Sequence, residues 1–288
     1  MTAVDSRLST FTSTSGDNLA LQEWPLPDGV APRGVVLIVH GLGEHAGRYD
    51  ALGQFLVQRG FSVRAYDHFG HGQSSGRRGT LSSNTRLLDD LDDMVDATRE
   101  RMHNAGLSPK TPLILLGHSM GGLVAARFVS QRAAKVDALV LSSPALDAGM
   151  SAAQKVLLWI AFRLFPDLPL GNGLKAQFIS HDADVVKAYI DDPQVHDRIS
   201  ARLAQFIASA GPATLAAAPQ WTVPTLLMYA GDDRLLAADG SRRFAQAAPS
   251  GVVTSHCWEG LWHEIFNERE PERSQVFDML GAWLARRW

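Results

Sequence analysis

Residues 115–122 read LLGHSMGG, an apolar run followed by a histidine, a serine and two glycines. The apolar run is typical of a buried strand, and the residues from Met120 onward favour a helix. Gly117 and Gly121 would flank a turn too tight for side chains, so the turn lifts Ser119 above the strand end. The new helix would aim free N–H groups at the same place, which suits a developing negative charge. Ser119 is therefore a candidate nucleophile; a serine N-cap followed by packing glycines is the structural alternative.

The order of elements along the chain predicts the fold class. Apolar runs that end in Gly, His, Ser or Pro are typical of buried parallel strands and lie at 34–41, 61–68, 112–119, 137–144, 222–231 and 252–260. Helical patterns lie at 49–59, 84–104, 120–132 and 271–288. This alternation predicts an α/β fold with a mostly parallel central sheet flanked by helices. Its ligand site should lie beyond the carboxyl ends of the strands.

One interval is too long for a simple crossover. About 75 residues separate the strand that ends near Pro144 from the one that begins near Thr222. We therefore expect an inserted helical cap at 147–219, between a first core part at 1–146 and a second at 220–288. The cap begins with AAQKVLLWIAFRLF, which is apolar nearly all round. This pattern favours a helix packed on the core, and a surface that lines an acyl chain or touches a membrane is the alternative.

Composition excludes several classes of protein. The 288 residues carry 27 Lys+Arg against 30 Asp+Glu, a net charge of −3, which does not favour nucleic-acid binding. The single cysteine, Cys257, excludes an internal disulfide. The start of the chain lacks the pattern of a secretory signal, and the longest apolar run, 156–162, has seven residues against the roughly 20 that span a bilayer. We predict a cytoplasmic protein, with peripheral contact to a membrane surface through the cap as an addition.

A nucleophilic serine needs a base and an acid, expected in the chain order Ser, Asp or Glu, His. The segment AGDDRLL follows the strand after the cap and offers Asp232 or Asp233, which the pattern alone does not separate. The segment LWHEIF follows the last strand and places His263 in a loop. His256 is a competing base, but it falls inside a predicted strand, where a structural histidine is the expectation. An imidazole with a pKa near 6.5 can take the serine proton and return it to a leaving group.

A second anion-binding group is expected in the loop after the first strong strand. The segment HGLGEH at 40–45 occupies that position, where enzymes with this strand, serine and helix arrangement carry a backbone N–H donor. We predict an oxyanion hole formed by the backbone N–H groups of Leu42 and Met120. An ordinary glycine-rich turn would explain the glycines but not their place in the chain.

Several histidines raise the question of a metal or cofactor. His68 and His71 have the spacing of metal ligands, and His40 and His45 lie in the glycine-rich loop. No Cys-rich or HExxH partner joins them, and no P-loop or strand-to-helix GxGxxG motif occurs. We expect neither a metal nor a cofactor. Asp67 should brace the following loop by accepting backbone hydrogen bonds.

Six segments in order, from about Thr10 to the C-terminus, carry a family resemblance: HGLGEHAGRYD, DHFGHGQSSGRRG, GHSMGG, YIDDPQVH, AGDDRL and HEIFNE. GHSMGG recurs across many hydrolases, whereas the combination of HGxGEHxGRY with HEIFNE is more specific. With these motifs the chain resembles the monoacylglycerol lipases of the α/β-hydrolase superfamily, including bacterial members. The resemblance is weakest in the cap, outside YIDDPQVH.

The resemblance implies a role for each matching residue. Ser119 would be the nucleophile, His263 the base and Asp233, rather than Asp232, the acid. It likewise implies an oxyanion hole from Leu42 and Met120. Four side chains would surround a glycerol head group, with salt bridges or packing as their structural alternatives: Glu44, Arg48, His118 and Tyr189.

The implied reaction is hydrolysis of a monoacylglycerol to glycerol and a fatty acid through an acyl-enzyme on Ser119, without a cofactor. A small-molecule lipid ester would be the partner. A broader carboxylesterase or a lysophospholipase with the same triad is the alternative within enzymes. A hydrolase-fold protein that binds a hydrophobic ligand without turnover is the alternative outside them, but neither the triad motifs nor the glycine loop is damaged.

Overall fold

A mixed sheet forms the centre of the molecule. The computed structural model describes residues 4–288, so Met1 to Ala3, part of the N-terminal segment considered above, lie outside the described residues. Within residues 4–288, eight strands form the central sheet: β1 Arg7–Thr12, β2 Asn18–Trp24, β3 Gly34–Val39, β4 Phe61–Tyr66, β5 Leu113–His118, β6 Ala138–Ser142, β9 Thr225–Ala230 and β10 Val253–Trp258. Two short strands pair separately: β7 Pro169–Gly171 and β8 Arg198–Ser200.

The strand order is β1-β2-β4-β3-β5-β6-β9-β10. Strands β1 and β2 are antiparallel to their neighbours, and the six strands from β4 to β10 run parallel. The predicted α/β-hydrolase fold with a mostly parallel sheet is confirmed. The antiparallel pair β1–β2 escaped the sequence analysis because β1, RLSTFT, is polar and almost fully exposed.

Helices cover both faces of the sheet. Their bounds are α1 Asp50–Gln58, α2 Arg86–Asn104, α3 Ser119–Arg132, α4 Ala152–Leu164, α5 Ala183–Asp191, α6 Ala201–Ala217, α7 Asp239–Ala247 and α8 Glu272–Ala285. Alternate residues of β3 serve two apolar cores, because successive side chains of a strand point to opposite faces. Leu37 packs in the core with α2, α3, α6 and α7, and Ile38 in the core with α1 and α8.

The interval between β6 and β9 contains α4, β7, α5, β8 and α6. Since β6 and β9 are neighbours in the sheet, this interval leaves the sheet and returns to the adjacent position. Its last helix does not stand apart, because Leu203 and Phe206 of α6 join the main core beside α3. The bounds 147 and 219 stay a prediction.

Helix α4 is exposed along most of its length. Leu158 is the one buried residue in this helix, and Leu157, Trp159 and Leu164 are each more than half exposed. The expectation that this apolar helix is packed away on the core is therefore wrong for most of its surface. A capping box formed by Ser151 and Gln154 fixes where the helix begins.

Helix α3 begins directly at the end of β5 and lies against the end of β3. A Cβ at Gly121 would overlap the carbonyl oxygens of Val39 and His40, and a Cβ at Gly117 would lie 2.6 Å from the carbonyl oxygen of Gly121. Because these obstacles are backbone atoms, they have little freedom to move aside. Glycine at both positions lets helix and strand meet closely, as the sequence predicted.

We expect Gly121→Ala to lower the free energy of unfolding by about 1–3 kcal/mol, since overpacking against rigid backbone forces a shift. Gly251→Ala is the matched control, because a Cβ at Gly251 meets no atom within 4 Å. The control should change the value by less than about 0.5 kcal/mol. Urea unfolding measures both, and equal values for the two variants would contradict the packing account.

Candidate active site

Ser119 lies at the sharp junction between β5 and α3. Its φ of 53° falls in the left-handed region, which non-glycine residues rarely adopt. Such strain persists only where the surroundings impose it, and it is characteristic of functional sites. The first residues of α3 leave backbone N–H groups without helical partners beside this serine.

His263 and Ser119 line one cavity of about 240 Å³. The cavity lies at the carboxyl ends of the strands, where the parallel sheet predicts a ligand site. The imidazole of His263 also packs against that of His118, with ring centres 4.7 Å apart. Chain segments more than 140 residues apart in sequence therefore meet at this cavity.

Asp233 is the carboxylate that holds His263. Its Oδ2 lies 2.7 Å from Nδ1 of His263, and both side chains are buried. The backbone N–H groups of Leu235 and Leu236 donate to the other oxygen of Asp233, at 2.8 and 3.0 Å. Asp232 is exposed. The structure thus pairs His263 with the aspartate that the resemblance favours.

The pair shifts the pKa of both partners. Burial acts to raise the pKa of Asp233, but the charge of His263 and the hydrogen bonds outweigh burial and lower it. Burial opposes a charge on His263, but Asp233, its hydrogen bond and the nearby Glu264 raise the pKa of the imidazole above its ordinary value of 6.5. His263 is therefore a stronger base than a free imidazole.

The two backbone N–H groups that the sequence predicts for an oxyanion hole are not used within the described part of the fold. Within residues 4–288, the N–H groups of Leu42 and Met120 have no hydrogen-bond acceptor in the protein. Leu42 lines the cavity, and Met120 is the second residue of α3. By contrast, the N–H of Gly41 is occupied, since it donates to Oε1 of Glu44 at 2.6 Å. The N–H groups of Leu42 and Met120 are thus unoccupied by any described residue, as the predicted oxyanion hole requires.

A buried network of charges lies beneath the cavity. Arg48 donates to Oε2 of Glu44 at 2.6 Å and to both oxygens of Glu264 at 2.7 and 2.8 Å. Tyr49 donates its hydroxyl hydrogen to Oε1 of Glu44 at 2.8 Å. Burial acts to raise the pKa of Glu44, but the positive charge of Arg48 overcomes it and lowers the pKa. The network ties the loop of Gly41 to the loop of His263.

The predicted head-group residues divide into two sets. Glu44, His118 and Tyr189 line the cavity with Ser119. Arg48 is not among the lining residues; its guanidinium is engaged by the two carboxylates and lies 4.6 Å from the ring centre of Tyr189. Its structural alternative, a salt bridge, is therefore present.

His118 is neutral at physiological pH. Burial, with the charge of His263 next in size, lowers the pKa of His118 to about 4. Its Nδ1 lies 3.1 Å from the backbone oxygen of Ser142. Because a carbonyl oxygen only accepts, Nδ1 carries the proton and Nε2 is left as an acceptor.

The interval after β6 supplies the apolar wall of the cavity. Leu174, Ile179, Ile190 and Val195 line it, together with polar residues of the same interval. The segment YIDDPQVH also binds the glycine-rich loop: Asp192 pairs with Nε2 of His45 at 2.8 Å, and the His196 N–H donates to the Gly43 oxygen at 2.8 Å. The wall is thus fixed to the loop that carries Leu42.

Most of the other histidines have structural surroundings. His40, His68 and His71 are buried and form a cluster with His196, a half-buried residue that lines the cavity, and the ring centres lie 4.5–6.0 Å apart. Among residues 4–288, no three His, Cys, Asp or Glu side chains converge closely enough to hold a metal ion. His256 lies in β10, its ring packed against Trp258, and does not line the cavity. Asp67 accepts from the N–H groups of Ala46 and Gln73, as expected of a loop brace.

Comparison with known proteins assigns the family. The family model described as serine aminopeptidase, S33, matches residues 30–270. The chain belongs to this family. A monoacylglycerol lipase of Mycolicibacterium smegmatis is 35% identical to this S33-family chain over 95% of both. Phospholipase YtpA of Bacillus subtilis is 33% identical, over 88% of this chain and 95% of the relative.

A solved structure agrees with these relatives. The monoacylglycerol lipase of Paleococcus ferrophilus is 32% identical to this S33-family chain and superposes with a TM-score of 0.82, over 93% of this chain and 98% of the other. The predicted resemblance to monoacylglycerol lipases is confirmed. The protein is a serine hydrolase of the monoacylglycerol lipase and lysophospholipase group, and its reaction is that of a carboxylic ester hydrolase.

Sequence reasoning missed Glu264 and Ser142. Glu264 directly follows His263 in the segment HEIFNE, and this adjacency could have indicated a role near His263. Its ion pair with Arg48 could not be predicted, because Arg48 is 216 residues away in the sequence. Ser142 is the last residue of β6, and its backbone oxygen contacts Nδ1 of His118. Nothing in the local sequence of Ser142 indicates this contact.

We expect Asp233→Asn to lower kcat/KM by about 10³- to 10⁴-fold, because the imidazole loses its orienting partner. The acidic limb of the pH profile should also move to lower pH. In the unaltered protein the neutral base is lost as pH falls through a raised pKa of His263, and without the carboxylate burial lowers that pKa.

Asp232→Asn is the matched control, since this neighbouring aspartate is exposed. It should leave both the rate and the pH limb unchanged. Rates measured from pH 5 to 9 on one soluble ester provide the comparison, and an unshifted limb in Asp233→Asn would count against the pair.

Proposed function

We propose that the protein hydrolyses monoacylglycerols to glycerol and free fatty acid through an acyl-enzyme on Ser119. The observation that carries this proposal is the buried Asp233–His263 pair, which shares one amphipathic cavity with a strained serine. The cavity is lined by both polar and apolar side chains, which suits a substrate with a small hydroxylated head and a hydrocarbon chain.

In the proposed mechanism, the Ser119 oxygen attacks the ester carbonyl while Nε2 of His263 accepts the hydroxyl proton. Asp233 holds the Nδ1 proton in place and stabilises the imidazolium without accepting the proton. The N–H groups of Leu42 and Met120 stabilise the oxyanion. His263 then protonates the leaving glycerol oxygen, and a water molecule activated by the same base releases the fatty acid.

The polar end of the cavity would take the glycerol head. Glu44 and Tyr189 offer a carboxylate and a phenol to the hydroxyl groups, and neutral His118 offers an imidazole acceptor. We assign Arg48 to the same region, where its ion pairs with Glu44 and Glu264 keep the Glu44 carboxylate in place.

The apolar wall would take the acyl chain. Leu174 and Ile190 both line the cavity and are exposed at its outer side, by 42% and 62%. The cavity wall is therefore continuous with apolar surface outside. A chain longer than the cavity could extend along these exposed apolar side chains.

The relatives support a lipid ester substrate. Two of the proteins compared are monoacylglycerol lipases, and one is a phospholipase. The phospholipase relative favours a lysophospholipase as the second candidate, because the triad would serve both reactions. Head-group preference separates the two.

A panel of substrates tests the proposal. We expect kcat/KM for a monoacylglycerol to exceed that for a lysophospholipid or a nitrophenyl ester of equal chain length by at least about tenfold, since buried polar groups discriminate strongly between head groups. Ser119→Ala should lower kcat for every ester by roughly 10⁴- to 10⁶-fold.

Ser255→Ala, at an exposed position of β10, is the control and should retain full activity. Labelling with a fluorophosphonate probe should require Ser119. A faster rate with the lysophospholipid would select the second candidate, and an unlabelled, inactive wild type would favour a ligand-binding protein.

We propose transient contact between the exposed cap and a membrane surface, where monoacylglycerols reside. Apolar side chains cluster outside the cavity on α4 and the following segment: Val156, Leu157, Trp159, Ile160, Leu164, Phe165, Leu168 and Leu170. A surface of this kind is costly in water and marks an interaction site. In the part of the chain that the structure describes, no helix combines the length and the apolar character needed to cross a bilayer.

Replacement of Leu157 and Leu164 together by Gln should weaken binding to phosphatidylcholine vesicles roughly tenfold to a hundredfold, because each loses about 1 kcal/mol of apolar transfer at the interface. Leu8→Gln is the control, since Leu8 is 65% exposed on β1 outside the cap. Vesicle sedimentation in a Ser119→Ala background measures the partition. Unchanged binding in the double variant would rule out this face.

A further inference from the structure

The loop that carries His263 is pinned on both sides of the histidine. The N–H of Trp262, the residue before it, donates to Oε1 of Glu268 at 2.8 Å. The N–H of Glu264, the residue after it, donates to the backbone oxygen of Ile179 at 2.8 Å. His263 therefore stands between two fixed amides, one bound to a carboxylate and one bound to the segment after β7.

Glu268, which accepts the N–H of Trp262, also binds the segment after β7. Its Oε2 accepts the backbone N–H of His181 at 3.1 Å, and its Oε1 lies 3.0 Å from Nδ1 of the His181 ring. The carboxylate thus meets three N–H groups, while its residue is only 2% exposed. A buried carboxylate is tolerated when its oxygens accept this many hydrogen bonds.

Further contacts surround this carboxylate. The ring of His181 stacks on that of Trp262 with centres 3.8 Å apart, and Ser180 donates its hydroxyl hydrogen to the backbone oxygen of Asn267 at 2.7 Å. Residues 179–181 and 262–268 are therefore joined along their length. None of these contacts reaches the reacting atoms.

We propose that Glu268 is a positioning residue that couples residues 179–181 to the orientation of His263. The inference rests on the proposed role of His263 as the base. The carboxylate holds the amide directly before the histidine and is itself held by His181, so a change in the position of residues 179–181 reaches the imidazole through one side chain. In the segment HEIFNE, the first residue, His263, would then act as the base, and the last, Glu268, would hold His263 in position.

Glu268→Gln is the direct test. One oxygen becomes an NH2 group that faces an N–H donor, so at least one of the three hydrogen bonds is lost while size is kept. We expect kcat to fall about tenfold with KM changed less than about twofold, because the substrate cavity is not lined by Glu268. Glu100→Gln, at an exposed position of α2, is the matched control.

Two variants of His181 distinguish positioning from folding. His181→Ala removes the side-chain donor, and His181→Asn keeps an N–H donor near the place of Nδ1 while losing the ring in the same way. We expect His181→Ala to lower kcat severalfold and His181→Asn to restore at least half of the loss. Urea unfolding of each variant separates a local effect from a loss of stability.

The low-field proton resonance of the His263–Asp233 hydrogen bond supplies a readout that needs no substrate. It should shift and exchange faster in Glu268→Gln and His181→Ala. An unchanged kcat in Glu268→Gln, a loss confined to KM, or a lower kcat with an unchanged resonance would each overturn the inference. Should monoacylglycerol prove not to be the substrate, the resonance and the rate of fluorophosphonate labelling still decide the coupling, so the two failures are distinguishable.

Discussion

The contact between the first turn of α3 and the end of β3 is the constraint on which the site depends. Gly121 lets the helix lie against the carbonyl groups of Val39, the last residue of β3, and His40, the first residue of the glycine-rich loop. Ser119 and the N–H of Met120 lie on the helix, and the N–H of Leu42 lies on that loop. A wider separation of helix and strand would part the two donors from each other. Gly121 thus sets how closely α3 can approach residues about 80 positions earlier in the chain.

Buried charges near the cavity also influence the protonation of His263. The buried network near the cavity contains two carboxylates, Glu44 and Glu264, and one guanidinium, Arg48. With Asp233, this arrangement leaves an excess of negative charge around His263, which favours the protonated form of its imidazole. Burial of so many charges is stable only when each finds a partner, as each does here.

The sequence suggested this candidate triad for a simple topological reason. Each member follows a strand, and parallel strands bring their carboxyl ends to one edge of the sheet, so order along the chain was enough to bring Ser119 and His263 to one cavity. Asp232 and Asp233 share one turn, however, and only coordinates or family resemblance separate them. The partner of Arg48 lies 216 residues away and leaves no local trace.

The surface of α4 was beyond prediction for another reason. An apolar helix looks the same in sequence whether protein, lipid or nothing covers it. The strand pair β1–β2 shows the opposite difficulty, because β1 is polar and exposed, yet backbone hydrogen bonds to β2 hold it in the sheet. Hydrophobic periodicity in a sequence indicates which residues are buried. An edge strand such as β1 buries few side chains, so it leaves little periodicity to detect.

The place of α6 in the main core limits how the interval between β6 and β9 can change. Leu203 and Phe206 lie within this interval but fill the core next to α3. An exchange of the whole interval with that of a relative would therefore replace core side chains of α6 along with the apolar residues that line the cavity. Recombination that ends before Ala201 would spare them, so new specificities are more easily acquired through α4, α5 and the loops around them than through the insertion as a unit.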